Sequence, residues 1–209
     1  MTITHHLDDA TLMSFSSGAL PAALAAVAAA HVDVCTLCRR EMAALEQVGA
    51  ALLSGLSPVA LAPGQPLLPS GPREPRERAA VRAGDVPRPL AGLIGGDLDG
   101  VPWRWIGPGV WDHRLPLMGA GKLRLIKAGP GRSLPEHGHI GSEMTLVLRG
   151  SFRDEAGQYL RGDVAEADES MPHQPVNDAD GDCICLVGSE RPEQFSGLLA
   201  RQWQRLRRF

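Results

Sequence analysis

Two groups of histidine, cysteine and acidic residues have the spacing of metal ligands. The first is His31-Val-Asp-Val-Cys35-Thr-Leu-Cys38. Cys35 and Cys38 are three apart, so the opening turn of a helix sets both sulfurs on one side. A helix N-terminus also favours thiolate over thiol, and thiolate is the form that binds zinc. His31, one turn earlier, makes a third ligand, whereas a tetrahedral structural site needs four. The residues leave the fourth open among His5, His6 and Asp33. The arrangements without metal are two buried thiols beside a surface histidine, or a C-x-x-C redox pair. The flanks lack the βαβ pattern that the redox pair calls for.

The second group is His137, His139, Glu143 and, further on, His173. His137 and His139 are two apart, so on a strand both point to one face. Glu143 follows a short bend and His173 comes from a later strand. Three imidazoles and a carboxylate suit Zn, Fe, Mn, Ni or Cu, and ligand type alone does not choose among them. Cys183 and Cys185 share one face of a late strand. They read as two small buried hydrophobes or, functionally, as an oxidisable pair near that metal. His113, in a polar run over 110–114, is assigned no role.

The elements that must hold these groups fall into three stretches. Residues 1 to about 60 are rich in Ala, Leu and Met and read as three helices. Asp8 or Asp9 caps the first, which carries Leu12, Met13 and Phe15 and stops near Gly18. Pro21 opens the second, which runs to about His31. The third spans about Cys35 to Leu53, with Met42, Leu45, Val48 and Leu52 at helical spacing. From Ser57 to Pro89 the density of proline forbids a regular element over most of the span, save one short charged helix at Arg73 to Arg82. After Pro89 the pattern is β, with runs at 123–127, 145–148 and 183–187 separated by Gly- and Pro-rich turns. Trp103, Trp105 and Trp111 are expected to pack at its entry. A helical unit this small, in a chain with only 4% aromatic residues, needs a staple.

Composition narrows the function classes. A formal net charge of −3 makes no electrostatic case for nucleic acid. The longest apolar stretch, Ala19 to Ala30, is too short to span a bilayer, and residues 1–9 do not form a signal peptide. A cytoplasmic protein without membrane partners is expected, in which the four cysteines are ligands or redox groups rather than disulfides.

His31, Cys35 and Cys38 between two helices, with a histidine near the start, resemble the zinc-binding anti-sigma domain over roughly residues 1–85. The resemblance implies His6 as the fourth ligand. Gly131, His137, His139, Glu143 and Gly150 match the first cupin motif, and Gly162, His173 and Asn177 resemble the second. Asp168 and Ser170 stand where that second motif carries Pro and Gly. Both signatures in this order resemble the ChrR-type anti-sigma factors. The implied architecture is an α + β two-domain protein. A zinc-bound helical bundle would occupy 1–85, a metal-binding cupin (double-stranded β-helix) barrel 90–195, and a basic tail or helix 196–209. The implied function is to inhibit an extracytoplasmic-function sigma factor in a 1:1 complex and to release it on an oxidative signal such as singlet oxygen. Zn2+ would sit at His6, His31, Cys35 and Cys38; Zn2+ or another divalent transition metal would sit at His137, His139, Glu143 and His173. The alternative is a cupin dioxygenase or isomerase with an accessory helical domain, which needs an open coordination position and a substrate pocket.

Overall fold

Asp8 caps the first helix, α1 (Asp9–Ser16), by accepting the Thr11 backbone N–H at 2.6 Å. That satisfies one of the donors a helix start leaves open. The computed structural model describes residues 2–60, 86–170, 172–191 and the backbone of 194–195. The short helix expected at 73–82 and the basic segment 196–209 lie outside these residues. Helix α2 (Ala22–Val34) starts after Pro21 and continues past His31, where its end was expected. Its alanines let it approach a neighbouring layer closely, and Ala23, Leu24, Val27, Ala28 and Ala30 are buried. Helix α3 (Thr36–Ser54) leaves it at a bend of 113° at Cys35. No single helix among the described residues is long and apolar enough to cross a membrane.

A fourth helix corrects the expectation that β structure begins at Pro89. Helix α4 (Arg88–Ile94) has Pro89 in its first turn, where a missing N–H costs nothing, and Gly95 at φ 76° ends it. Leu90 is buried, and α4 packs on α2. Arg88 pairs with Asp33 of α2, its Nε 2.6 Å from Oδ1.

The strands are β1 (Arg104–Gly107), β2 (Val110–Arg114), β3 (Lys122–Ala128), β4 (His137–Gly138), β5 (Glu143–Arg149) and β6 (Ser151–Arg153). They continue with β7 (Gln158–Leu160), β8 (Val164–Ala167), β9 (Val176–Asn177), β10 (Cys183–Ser189) and β11 (Gln194–Phe195). A six-stranded antiparallel sheet runs β1-β2-β3-β10-β5-β8, beside a three-stranded sheet β7-β6-β9 and the pair β11-β4. The expected closed barrel is therefore not formed. Among the described residues the pairings leave β1 and β8 as open edges, and the architecture is a sandwich with helices on one side.

Side-chain alternation explains the layering. Leu123 and Leu125 of β3, Met144, Leu146 and Leu148 of β5, and Ile184 and Leu186 of β10 face the helices, in one core with Leu12, Leu24, Val27 and Leu90. The intervening Ile126, Val147, Cys183, Cys185 and Val187 face the small sheet, in a second core with Phe152 and Tyr159. β10 is covered on both faces, so all seven of its residues are buried. Near its end, Gly188 lies under α2, and a Cβ there would sit 2.5 Å from the Ala23 carbonyl oxygen. Lys127 on β3 lies over the Trp111 ring at 4.8 Å and the Trp103 ring at 5.5 Å, which ties the entry segment to the sheet.

Candidate metal centres

The α2–α3 corner builds the first quartet. His31 is in the last turn of α2, Cys35 is the residue between the helices, and Cys38 is in the first turn of α3. The Cys35 N–H donates to the His31 carbonyl at 2.8 Å, which sets the corner. His6 enters from the N-terminal arm, its Nδ1 3.3 Å from Cys35 Sγ and 3.8 Å from Cys38 Sγ. One donor atom from each of the four lies within 4.8 Å of the others. The other two residues weighed for the fourth place are engaged elsewhere. Asp33 pairs with Arg88, and His5 lies 3.3 Å from Asp163 and stacks near Tyr159.

The donor chemistry of this quartet fits a metal. His31 Nδ1 donates to the Gly162 carbonyl at 3.0 Å, which leaves the Nε2 lone pair facing Cys38 Sγ at 3.3 Å. Burial lowers the His31 pKa to about 4, so the ring is neutral and able to ligate. The cysteine is a different matter. Burial pushes the Cys38 thiol up to about 12, against a hydrogen bond from the Leu7 backbone. The expected thiolate preference at the start of α3 is thus outweighed at Cys38 by desolvation, and a bound cation is what would hold it as thiolate.

The second quartet sits between the sheets. His137 is on β4, His139 follows it, Glu143 opens β5, and His173 bridges back to His137 through paired backbone hydrogen bonds. Donor atoms of all four again fall within 4.8 Å, and all four residues lie within the fold's interior. His137 Nδ1 donates to the Pro135 carbonyl at 2.9 Å, and His173 Nδ1 to Asp154 Oδ2 at 3.0 Å. With Nδ1 as the donor, a neutral ring carries its lone pair on Nε2, and the two Nε2 atoms face each other at 3.3 Å. His139 Nε2 is equally close to His173 Nε2. A cation standing among these nitrogens would take up the lone pairs that converge there.

Two further observations agree. Glu143 Oε2 is buried and makes no hydrogen bond among the described residues, only a 3.6 Å approach to His139 Nδ1. Burial lowers His137 to about 3 and His139 to about 4, which keeps both rings neutral.

A cavity of about 380 Å³ opens beside this quartet. His137, Glu143 and His173 form one wall, with Ile126, Phe152 and Val187 among its apolar lining. Cys183 and Cys185 line it too, Sγ to Sγ 3.6 Å, on the one strand face their spacing predicts. The neighbouring Cys183 and burial together raise the Cys185 pKa, so Cys185 rests as the thiol. Asn177 does not point to the quartet; its amide donates to the carbonyls of Ala128, Gly129 and Gly181 and closes the loops there. Of the orienting groups Pro135, Asp154 and Gly162, only Gly162 was singled out in the sequence, as a motif glycine and not as the partner of His31. Two of the three act through a backbone carbonyl, which no side-chain pattern reveals.

The chain can now be set beside known proteins. The family model described as the ChrR cupin-like domain matches residues 93–191. Over 205 residues the chain is 38% identical to the anti-sigma-E factor ChrR of Cereibacter sphaeroides, covering 96% of each sequence. It is also similar to a crystal structure of Rhodobacter sphaeroides SigE in complex with the anti-sigma ChrR. The TM-score is 0.77 and the identity 37%, over 90% of this chain and 99% of the matched one. Identity of that order along nearly the whole length spans the helices as well as the sheets: the chain belongs to the ChrR family of anti-sigma factors.

Proposed function

We propose that this protein binds and inhibits an extracytoplasmic-function sigma factor in a 1:1 complex, and that the β sandwich releases it on an oxidative signal. The similar proteins are named as regulators, one of them in complex with SigE, which sets the dioxygenase or isomerase alternative aside. The observation in this chain that carries the reading is an apolar face on α3 that is exposed among the described residues. Leu45 packs against the core, but Val48 and Leu52 continue the same face outward at 58% and 70% exposure, with Leu53 beside them at 70% and Leu56, just past the helix end, at 68%. Apolar side chains at i and i+4, as at Val48 and Leu52, make an anchor for a partner's groove or helix.

In this reading residues 1–85 carry inhibition, 90–195 carry sensing, and 196–209 are the basic tail or helix. His6, His31, Cys35 and Cys38 hold Zn2+, which supplies folding free energy of about 10–16 kcal/mol in comparable small sites. His137, His139, Glu143 and His173 hold Zn2+ or another divalent transition metal, with Cys183 and Cys185 close by as the oxidisable pair. Release needs only a modest bias: weakening the complex a hundredfold takes about 2.7 kcal/mol. The protein works in the cytoplasm, without membrane or nucleic-acid partners. The test is co-purification with the cell's sigma factors, combined with a sigma-dependent reporter. A stoichiometric complex and a silenced reporter, relieved by singlet oxygen, are expected. A chain that captures no sigma factor and leaves the reporter active sinks the proposal.

A further inference from the structure

The arm that carries His6 is held on both sides by the β sandwich. Upstream, the Thr4 N–H donates to Asp163 Oδ1 at 2.7 Å and the His5 N–H to the same oxygen at 3.0 Å. The Thr4 hydroxyl and His5 Nδ1 approach Asp163 Oδ2 at 3.2 and 3.3 Å. Downstream, the Asp8 N–H donates to Glu166 Oε1 at 3.0 Å, and the Thr11 hydroxyl to Glu166 Oε2 at 2.8 Å. His6 lies between the two anchors. Leu7, beside it, is buried in the core shared with the sheet. The residue before Asp163, Gly162, accepts from His31 through its carbonyl. It takes φ +91°, and a Cβ there would meet Ile3 at 2.9 Å, so arm and turn are in close contact.

Asp163 itself is fully buried, and its Oδ2 also accepts the Leu160 N–H at 2.9 Å. A buried carboxylate at the β7–β8 turn that accepts two successive backbone N–H groups from a chain 158 residues away serves more than its own turn. Without those bonds the arm would have to surrender its backbone freedom to deliver one imidazole.

We propose that Asp163 is a positioning residue of the His6–His31–Cys35–Cys38 metal site: it fixes the arm so that His6 stands at the sulfurs, while the adjacent Gly162 carbonyl orients His31. This rests on the reading of that quartet as a zinc site. The outer shell of a site formed by the helices is thus supplied by the sandwich.

The test uses the full-length protein loaded with Zn2+ or Co2+. Release of Zn2+ to a chromogenic chelator, in Asp163→Asn, should be about 10- to 100-fold faster than in the wild type, the usual loss for an outer-shell partner. The Co2+ absorption of Asp163→Asn should move toward that of His6→Ala while keeping its sulfur charge-transfer band. In a double-mutant cycle, Asp163→Asn should add nothing to His6→Ala, because it acts through that ligand. Thr4→Pro removes the Thr4 N–H and hydroxyl and leaves the β7–β8 turn untouched. It should accelerate release in the same direction, which covers the case in which Asp163→Asn unfolds. Wild-type release rates in both variants, or full additivity with His6→Ala, overturn the proposal. If the wild type itself binds no metal that Cys35→Ser removes, the zinc reading fails instead.

Discussion

Cys35 and Cys38 place two sulfurs at a helix corner, where burial pushes the Cys38 thiol up to about 12 and a bound cation is what would hold it ionised. Cys35→Ser or Cys38→Ser should therefore lose one zinc equivalent, measured by metal analysis of the full-length protein. Hydrogen exchange should quicken at the α2–α3 corner, while α2 stays protected by its contacts with the sheet. His6→Ala should be damaging and His5→Ala mild, because only His6 reaches the sulfurs. The reverse order would move the fourth ligand to His5. The imidazoles bring a pH dependence to the metal-free protein. His31, His137 and His139 have folded pKa values of about 4, 3 and 4, below the ordinary 6.5, so the unfolded state binds more protons as pH falls. Their contribution is complete above pH 6.5 and is lost on acidification toward pH 4, at up to about 1.4 kcal/mol per pH unit for each ring. Urea unfolding of chelator-treated protein at pH 7 and pH 5 should show the loss. Equal midpoints would mean that these rings titrate normally.

Among the elements, α3 changes character along its length: its first turn carries a sulfur, its middle packs on the core, and its last turn leaves Leu52 and Leu53 exposed. Leu52→Glu combined with Leu56→Glu should weaken sigma binding at least about a hundredfold, or about 2.7 kcal/mol. The melting temperature should barely change, since both residues are exposed. Calorimetric titration with the sigma factor measures this, and unchanged affinity would place the contact elsewhere. The three N-terminal helices were legible in the sequence because Asp8, Pro21 and the corner at Cys35 are local signals. Spacing also marked His31, Cys35, Cys38, His137 and His139 as candidate ligands, whereas the choice of His6 came only from the resemblance to the anti-sigma domain; the donor atoms of each group converge within 4.8 Å. Helix α4 was hidden because Pro87 and Pro89 read as linker, and its one buried leucine, Leu90, makes too short a pattern. The open sheet could not be told from a barrel: alternation within strands specifies faces, and closure depends on which edges pair. Nor did periodicity reveal that the helices share a core with the sheet, since Leu146 and Leu186 meet Leu24 and Val27 only through long-range packing.

For the whole molecule, the two quartets share no ligand, yet β8 begins one residue after Asp163 and ends with Ala167 paired to Glu143. His137→Ala, His139→Ala, Glu143→Ala or His173→Ala should each leave a folded repressor that no longer responds to oxidant. A sigma-dependent reporter with and without singlet oxygen reads this, and folded variants that lose inhibition outright would make the sandwich part of the inhibitory surface. Cys183→Ser and Cys185→Ser should abolish the response if those thiols are the oxidised pair and preserve it if they only pack. The contact of Gly188 with α2 can be broken by the smallest possible wedge. In Gly188→Ala the new methyl meets the Ala23 carbonyl, so exchange at the first turns of α2 should accelerate and the melting temperature fall; wild-type protection would show that the layers separate without cost. That close approach also bears on how such a protein is inherited. Helices that lie on bare backbone cannot be grafted onto just any sandwich: the recipient must present a glycine at this point of its central strand, beneath the start of α2. The two halves are thus matched parts at this seam, and a swap between relatives should keep it only where that one missing side chain is kept.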